Sequence, residues 1–125
     1  MTVYYACKYA PLELIAGFGA DCAALDPLAE SFSCAERHAH PNLCGYAKAV
    51  LEQVEQSRVR ALVLTNCCDA MRRVYDVLEA SGGLDFLYFL PLPHQTGPAA
   101  RARLARDLGR LAQALQAYTG RAFDP

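Results

Sequence analysis

The chain has 125 residues, over half of them apolar, and a formal net charge of −1. That length favours one domain with a real core, and the near-zero charge excludes both the basic footprint of a nucleic-acid binder and the charge excess of a disordered chain. No charged segment followed by an apolar run opens it, and nothing approaches the roughly 20 apolar residues that span a bilayer, so no secretion signal or membrane partner is expected and the expected location is cytoplasmic.

Thr2 to Ala6 is β-branched and aromatic, which predicts a short strand. Cys7-Lys8-Tyr9-Ala10 reads as a turn. Pro11 then suits the first position of a helix over Leu12 to Phe18, stopped by Gly17 and Gly19. Asp21 to Leu25 predicts a second strand. From Asp26 to Asn42 no period persists; the stretch holds Pro27, Cys34, His38, His40 and Pro41 and is long enough to read as a functional loop. Leu43 to Gln56 carries Leu43, Ala47, Val50, Leu51 and Val54 at helical spacing, with Asn42 as its N-cap.

Ala61 to Thr65 is the central strand, apolar on both faces. Asp69 to Ala80 puts Met71, Val74 and Leu78 on one stripe, with Asp69 in the first turn, and Ser81-Gly82-Gly83 ends the helix. Leu84 to Leu90 is another buried strand, terminated by Pro91 and Pro93. Pro98 opens a long amphipathic helix with a seam of Leu104, Leu108, Leu111, Leu115 and Tyr118, stopped by Gly120. This alternation predicts an α/β fold: a three-layer, open, mainly parallel sheet of about four strands with helices on both faces. Right-handed crossovers put the strand C-terminal ends on one edge. No repeat or linker divides residues 1–125, which read as a single Rossmann-like domain.

Six cysteines, at 7, 22, 34, 44, 67 and 68, are many for this length, and none forms a CxxC pair. In a reducing compartment they point to metal ligation, redox chemistry or burial as small hydrophobes, not to a disulfide framework. Cys7 and Cys68 each follow a predicted strand, and Cys44 falls in the first turn of a helix, where the dipole favours a thiolate. Three thiols from three turns can converge on one cluster, although their spacing is not the local pairing of zinc ribbons or ferredoxins. Cys67-Cys68 also admits a vicinal redox disulfide. Neighbours in an extended segment point opposite ways, which assigns Cys67 to the core and Cys68 to the turn. His38, His40 and His94 are either ligands and proton carriers or exposed loop residues. Glu13 is either a general base over the same edge or a complement to its helix dipole. Arg72 and Arg73 either guide an acidic ligand or lie on a solvated helix face. No GxGxxG, phosphate loop or GxSxG pattern occurs.

Residues 7–19, Cys-Lys-Tyr-Ala-Pro-Leu-Glu-Leu-Ile-Ala-Gly-Phe-Gly, resemble the CxxxPxEL…AxG opening of the 2-hydroxyacyl-CoA dehydratase large subunits. That superfamily also includes subunits of ATP-dependent benzoyl-CoA reductase and double-cubane-cluster proteins. Residues 41–48, Pro-Asn-Leu-Cys-Gly-Tyr-Ala-Lys, are similar to its PxNLCxxxK segment. Thr65-Asn66-Cys67-Cys68-Asp69, with Arg72, Arg73 and Tyr75 after it, resembles its TxxCD motif. Phe89 to His94 and Tyr118-Thr119-Gly120 fall at two further landmarks. The resemblance runs over nearly the whole chain and rests on the order and spacing of these motifs.

It implies a [4Fe–4S] cluster held by the positions matching Cys44 and Cys68, with Cys7 as a further metal ligand and another cysteine supplied in the family by a later domain. Three thiolates leave one iron open as a Lewis acid toward a thioester oxygen. It implies Glu13 as a catalytic residue beside the substrate. The implied activity is that of a dehydratase, a lyase: one electron enters an acyl-CoA thioester, and the resulting ketyl radical expels the hydroxyl. The implied partners are a homologous dehydratase subunit or second domain within an oligomer, an ATP-dependent iron–sulfur activator protein, and the acyl-CoA substrate. Family subunits are considerably longer and this chain stops where their first α/β domain ends, so it is expected to be incomplete on its own. Two rival readings remain: a non-catalytic interaction domain whose long helix from Pro98 faces another chain, and a thiol redox module using Cys67 and Cys68.

Overall fold

The computed structural model describes residues 1–7, 9–25 and 44–125. In chain order the described elements are β1 (Thr2–Tyr5), α1 (Leu12–Gly17), β2 (Asp21–Ala24), α2 (Gly45–Gln56), β3 (Ala61–Thr65), α3 (Asp69–Ser81), β4 (Phe86–Leu90) and α4 (Pro98–Thr119). All four strands are parallel and lie in the order β2-β1-β3-β4. The registers pair Val3 with Cys22, Tyr5 with Val63 and Thr65 with Leu90.

Every residue of β3 is buried, because its side chains have apolar partners above and below. Alternation sends Leu62 and Leu64 to one face, where they meet Val50 and Val54 of α2 and Met71, Val74 and Leu78 of α3. Ala61 and Val63 face the other way, onto Ile15 of α1 and Leu111 and Leu115 of α4. The expected three-layer arrangement is therefore present. The chain steps from β1 out to β2, returns past β1 to β3, and continues outward to β4. That reversal leaves a topological switch point between the C-terminal ends of β1 and β3, where open α/β sheets bind their ligands.

Several boundaries and contacts differ from expectation. Cys44 is the N-cap of α2, extended at φ −65° and ψ 158°, and does not lie within the first turn. The expected cap, Asn42, lies outside the described residues, as do Lys8, Pro27, Cys34, His38, His40, Pro41 and Leu43. β4 begins at Phe86 and not at Leu84, because the Arg60 carbonyl first accepts the N–H groups of Asp85 and Phe86, at 2.8 and 3.1 Å. The seam of α4 is not free for another chain. Leu111 and Leu115 are sealed against the sheet, and Tyr118 stacks on Phe86 at 5.0 Å. Burial of each such leucine contributes about 1.5–3 kcal/mol.

The tail returns to α1: Asp124 donates its N–H to the Gly17 carbonyl at 2.7 Å, and Phe123 packs on Phe18 with ring centroids 5.5 Å apart. The Phe123 ring occupies the space that a Cβ on residue 17 would fill, so a larger residue there would have to displace that ring.

Candidate thiol site at the sheet edge

The turn after β1 is closed by the Ala10 N–H on the Cys7 carbonyl at 3.0 Å, which leaves the Cys7 thiol half-buried at the edge. The link from β3 to α3 carries Cys67 and Cys68, both exposed, with Cys68 as the extended N-cap of α3 at φ −157° and ψ 164°. Cys7 and Cys68 are both near enough to Cys67 to act on its thiol. The switch point is thus lined by thiols from both strands that define it. Cys67 does not face the core as expected. The sheet ends at Thr65, and beyond it the strand's alternation no longer dictates which way a side chain points.

Tyr46, in the first turn of α2, donates its hydroxyl to the Ala6 carbonyl at 2.9 Å. The charges of Cys67, Cys7 and Cys68 all act on it and, after burial, push its phenol above the ordinary range. This one contact docks the α2 end that bears Cys44, itself exposed, against the thiol turns.

Burial is the largest influence on the Cys67 thiol and raises its pKa; the nearby Cys7 and Cys68 add to the rise. The Thr65 hydroxyl works in the opposite sense. Thr65 Oγ1 is fully buried at the end of β3 with no well-formed hydrogen bond of its own, and its action on Cys67 favours the thiolate. A buried hydroxyl without an acceptor costs about 1–3 kcal/mol, so its presence behind a thiol calls for a reason.

Glu13 is exposed in the first turn of α1, and its charge acts on Cys22 of β2. Burial, then Asp21, then Glu13 raise the Cys22 thiol, which donates to the Leu12 carbonyl at 3.6 Å. Glu13 therefore stands on the outer, β2 side of the edge, whereas the charges acting on Cys67 are those of Cys7 and Cys68.

On the other flank, Asn66 clamps the loop after β4. Its Oδ1 accepts the Leu92 N–H at 2.7 Å, and its Nδ2 donates to the Leu92 carbonyl at 3.2 Å. Beyond this clamp lies a cleft of about 460 Å³ lined by Asn66, Leu92, His94, Arg103 and Asp107 among others. His94 is exposed there, while Asp107 is only 9% exposed and, after burial, is the main cause of the raised Tyr88 phenol. The arginines of α3 follow the solvated-face reading: Arg72 lies over the Phe89 ring at 5.2 Å, and Arg73 pairs with Asp76 at 3.6 Å. Sequence patterns did not single out Tyr46, Thr65 or Asn66; the only available signal was the polar end of an apolar strand at Thr65-Asn66.

Over residues 7–125 the chain matches the family described as 2-hydroxyglutaryl-CoA dehydratase, D-component. The chain belongs to this family. No curated protein matches it. The matched region starts at Cys7, so it takes in the whole thiol edge of this chain, from Cys7 through Cys44 to Cys68. The family is one part of a multi-component dehydratase. Its components bind iron–sulfur clusters in general, and the structure bears on whether these residues fit one. Among the described residues no three His, Cys, Asp or Glu side chains already stand together as a metal site. The chemistry of the donor set does fit. The exposed thiols of Cys67 and Cys68 stand at the switch point beside the half-buried Cys7, and soft thiolates suit an iron–sulfur cluster. Among the described residues, no helix is long and apolar enough to cross a membrane.

Proposed function

We propose that this chain acts as the iron–sulfur-bearing α/β unit of a 2-hydroxyacyl-CoA dehydratase-like or acyl-CoA reductase-like system. Cys44 and Cys68 would serve as thiolate ligands and Cys7 as a third. The observation that carries the reading is that the thiols of Cys7, Cys67 and Cys68 stand at the β1/β3 switch point within a chain of this family. When bound, a [4Fe–4S] cluster held by three thiolates supplies an open iron able to act on a thioester oxygen in one-electron chemistry.

The chain's own residues have separate tasks. Thr65 favours thiolate at the edge, Tyr46 holds the Cys44 end of α2 against the β1 turn, and Asn66 fixes the loop beside the cleft. Glu13, on the β2 side, serves as the proton-handling carboxylate for a substrate that extends across that flank. A homologous subunit or second domain completes the ligand set, an ATP-dependent iron–sulfur activator delivers the electron, and the assembly works in the cytoplasm on an acyl-CoA.

Anaerobic reconstitution with iron and sulfide, followed by metal and acid-labile sulfide analysis, tests this. The parent is expected to retain iron and sulfide after desalting, and the Cys44→Ala/Cys68→Ala variant to lose most of both. Equal loading of the two proteins would remove the ligand assignment.

A further inference from the structure

The cleft on the β4 flank has no task in the thiol chemistry, yet α4 gives it both a cationic end and a carboxylate. It holds about 460 Å³, within the range of small-molecule sites, and its α4 wall consists of Ala99, Ala100, Arg103 and Asp107. Intervals of three and four residues put these positions on one face of the helix. The facing side is fixed, since Asn66 spends both ends of its amide on Leu92.

At one end the cleft meets the start of a 22-residue helix. Pro98 has no N–H to offer, and the first intrahelical bond is the one Arg101 donates to the Gly97 carbonyl at 3.1 Å. The N–H groups of Ala99 and Ala100 precede it and have no partner within the helix. No side chain caps them, and no acidic residue stands in the first turn. Residues 98–110 hold Arg101, Arg103, Arg106 and Arg110 against the single acid Asp107. Such a helix end favours an anion. Arg103, exposed one turn further on and without an ion pair among the described residues, supplies a second contact for it.

Asp107 is the independent observation. It is only 9% exposed, it lines the cleft two turns below Ala100, and it has no hydrogen bond or ion pair among the described residues. Unlike the sealed Thr65 hydroxyl, its oxygens keep access to the cleft. A carboxylate at that depth is costly unless a donor meets it. Ala100 and Asp107 stand roughly 10 Å apart along the helix axis, and the Asp107 side chain leans back toward the N-terminus.

We infer that this cleft binds a phosphate monoester that also carries hydroxyl groups. The phosphate takes the N–H groups of Ala99 and Ala100 together with Arg103, and a hydroxyl donates to Asp107. Inorganic phosphate alone leaves the carboxylate unmatched, and a neutral sugar leaves the helix end unmatched. Sugar phosphates and nucleotides share the required chemistry. The inference does not rest on the cluster reading, because none of these residues is a proposed ligand and the iron-free chain suffices to test it.

The test uses the full chain, reduced, iron-free and isotope-labelled. It is titrated with ribose 5-phosphate, adenosine monophosphate, inorganic phosphate and ribose, with amide NMR shifts locating the site and calorimetry giving the affinity. At least one ester is expected to shift the Ala99 and Ala100 amides and to bind about tenfold or more tightly than inorganic phosphate or ribose. The tighter of the two esters identifies the source. Arg103→Ala is expected to weaken the ester and inorganic phosphate alike by about tenfold. Asp107→Asn is expected to weaken the ester about tenfold and leave inorganic phosphate unchanged, a selectivity that a purely structural Asp107 would not produce. Because either substitution can disturb folding, the parent's own shifts and affinities decide the matter. Unmoved Ala99 and Ala100 amides with both esters, or esters that bind no more tightly than inorganic phosphate, would overturn the inference.

Discussion

The two ends of the same sheet differ in what they leave unspent. At the N-terminal end, Arg60 grips Asp85 through two hydrogen bonds of 3.1 and 2.9 Å, and α3 stops at Gly82 with φ 68° and its N–H on the Leu78 carbonyl. The cavity at that end, about 290 Å³, is walled mainly by apolar side chains such as Val54, Val59, Val77 and Leu84. At the C-terminal end the β-to-α turns begin helices, and their side chains have little packing to do. Exposed thiols, the unsatisfied Thr65 hydroxyl and the Tyr46 phenol all collect there. The closed end is held by that ion pair and cap, with Gln53 Oε1 in the last turn of α2 its one buried polar atom without a partner among the described residues, while the open end holds reactive groups in place. A parallel sheet makes this separation natural, because every strand points its C-terminus at the same edge.

The comparison breaks most directly in the core. Leu62→Ala removes a fully buried side chain shared by both ends and is expected to cost about 2–5 kcal/mol in urea denaturation. Cys67→Ala at the open end is expected to cost no more than about 1 kcal/mol. Comparable losses would mean that Cys67 is packing after all. Thr65→Val keeps the shape and removes the unsatisfied hydroxyl, with an expected gain of about 1 kcal/mol. The same change removes the one neighbour that lowers the Cys67 thiol, so the pH profile of its alkylation should move upward.

Asp85→Asn breaks the pair at the closed end. Its partners are more than half exposed, so the expected loss is below about 1 kcal/mol and shrinks further in high salt.

Alkaline pH gives a subtler contrast. Cys67, Cys22 and Tyr46 all have raised pKa values when folded, so the unfolded chain releases these protons first. Stability is expected to hold below the ordinary thiol value of 9.0 and to fall as pH rises above it. Urea titrations of Cys22→Ala should show a shallower decline than the parent; an unchanged slope would contradict the buried-thiol account.

The fold was legible where a single residue pattern decided it. The apolar run of β3, the stripe of α3 and the seam of α4 each had one economical burial, and each adopted it. The site was legible only in part. Cys7 and Cys68 could be placed at the edge from strand ends alone, but the Cys67 reading carried strand alternation one turn too far. The Tyr46–Ala6 bond spans 40 residues and the Asn66–Leu92 clamp 26, so no local period announces either. The start of α2 at Gly45 likewise could not be read from spacing, because Leu43 continues the helical pattern backward.

The central claim is that the open edge supplies iron–sulfur ligands while the rest of the chain supplies the frame. The most direct measurement is residue-resolved alkylation of the native chain before and after anaerobic loading with iron and sulfide. Loading is expected to slow alkylation of Cys44, Cys68 and Cys7 by about tenfold or more while leaving Cys22 unchanged. Identical rates at Cys44 and Cys68 with and without iron and sulfide would contradict the account.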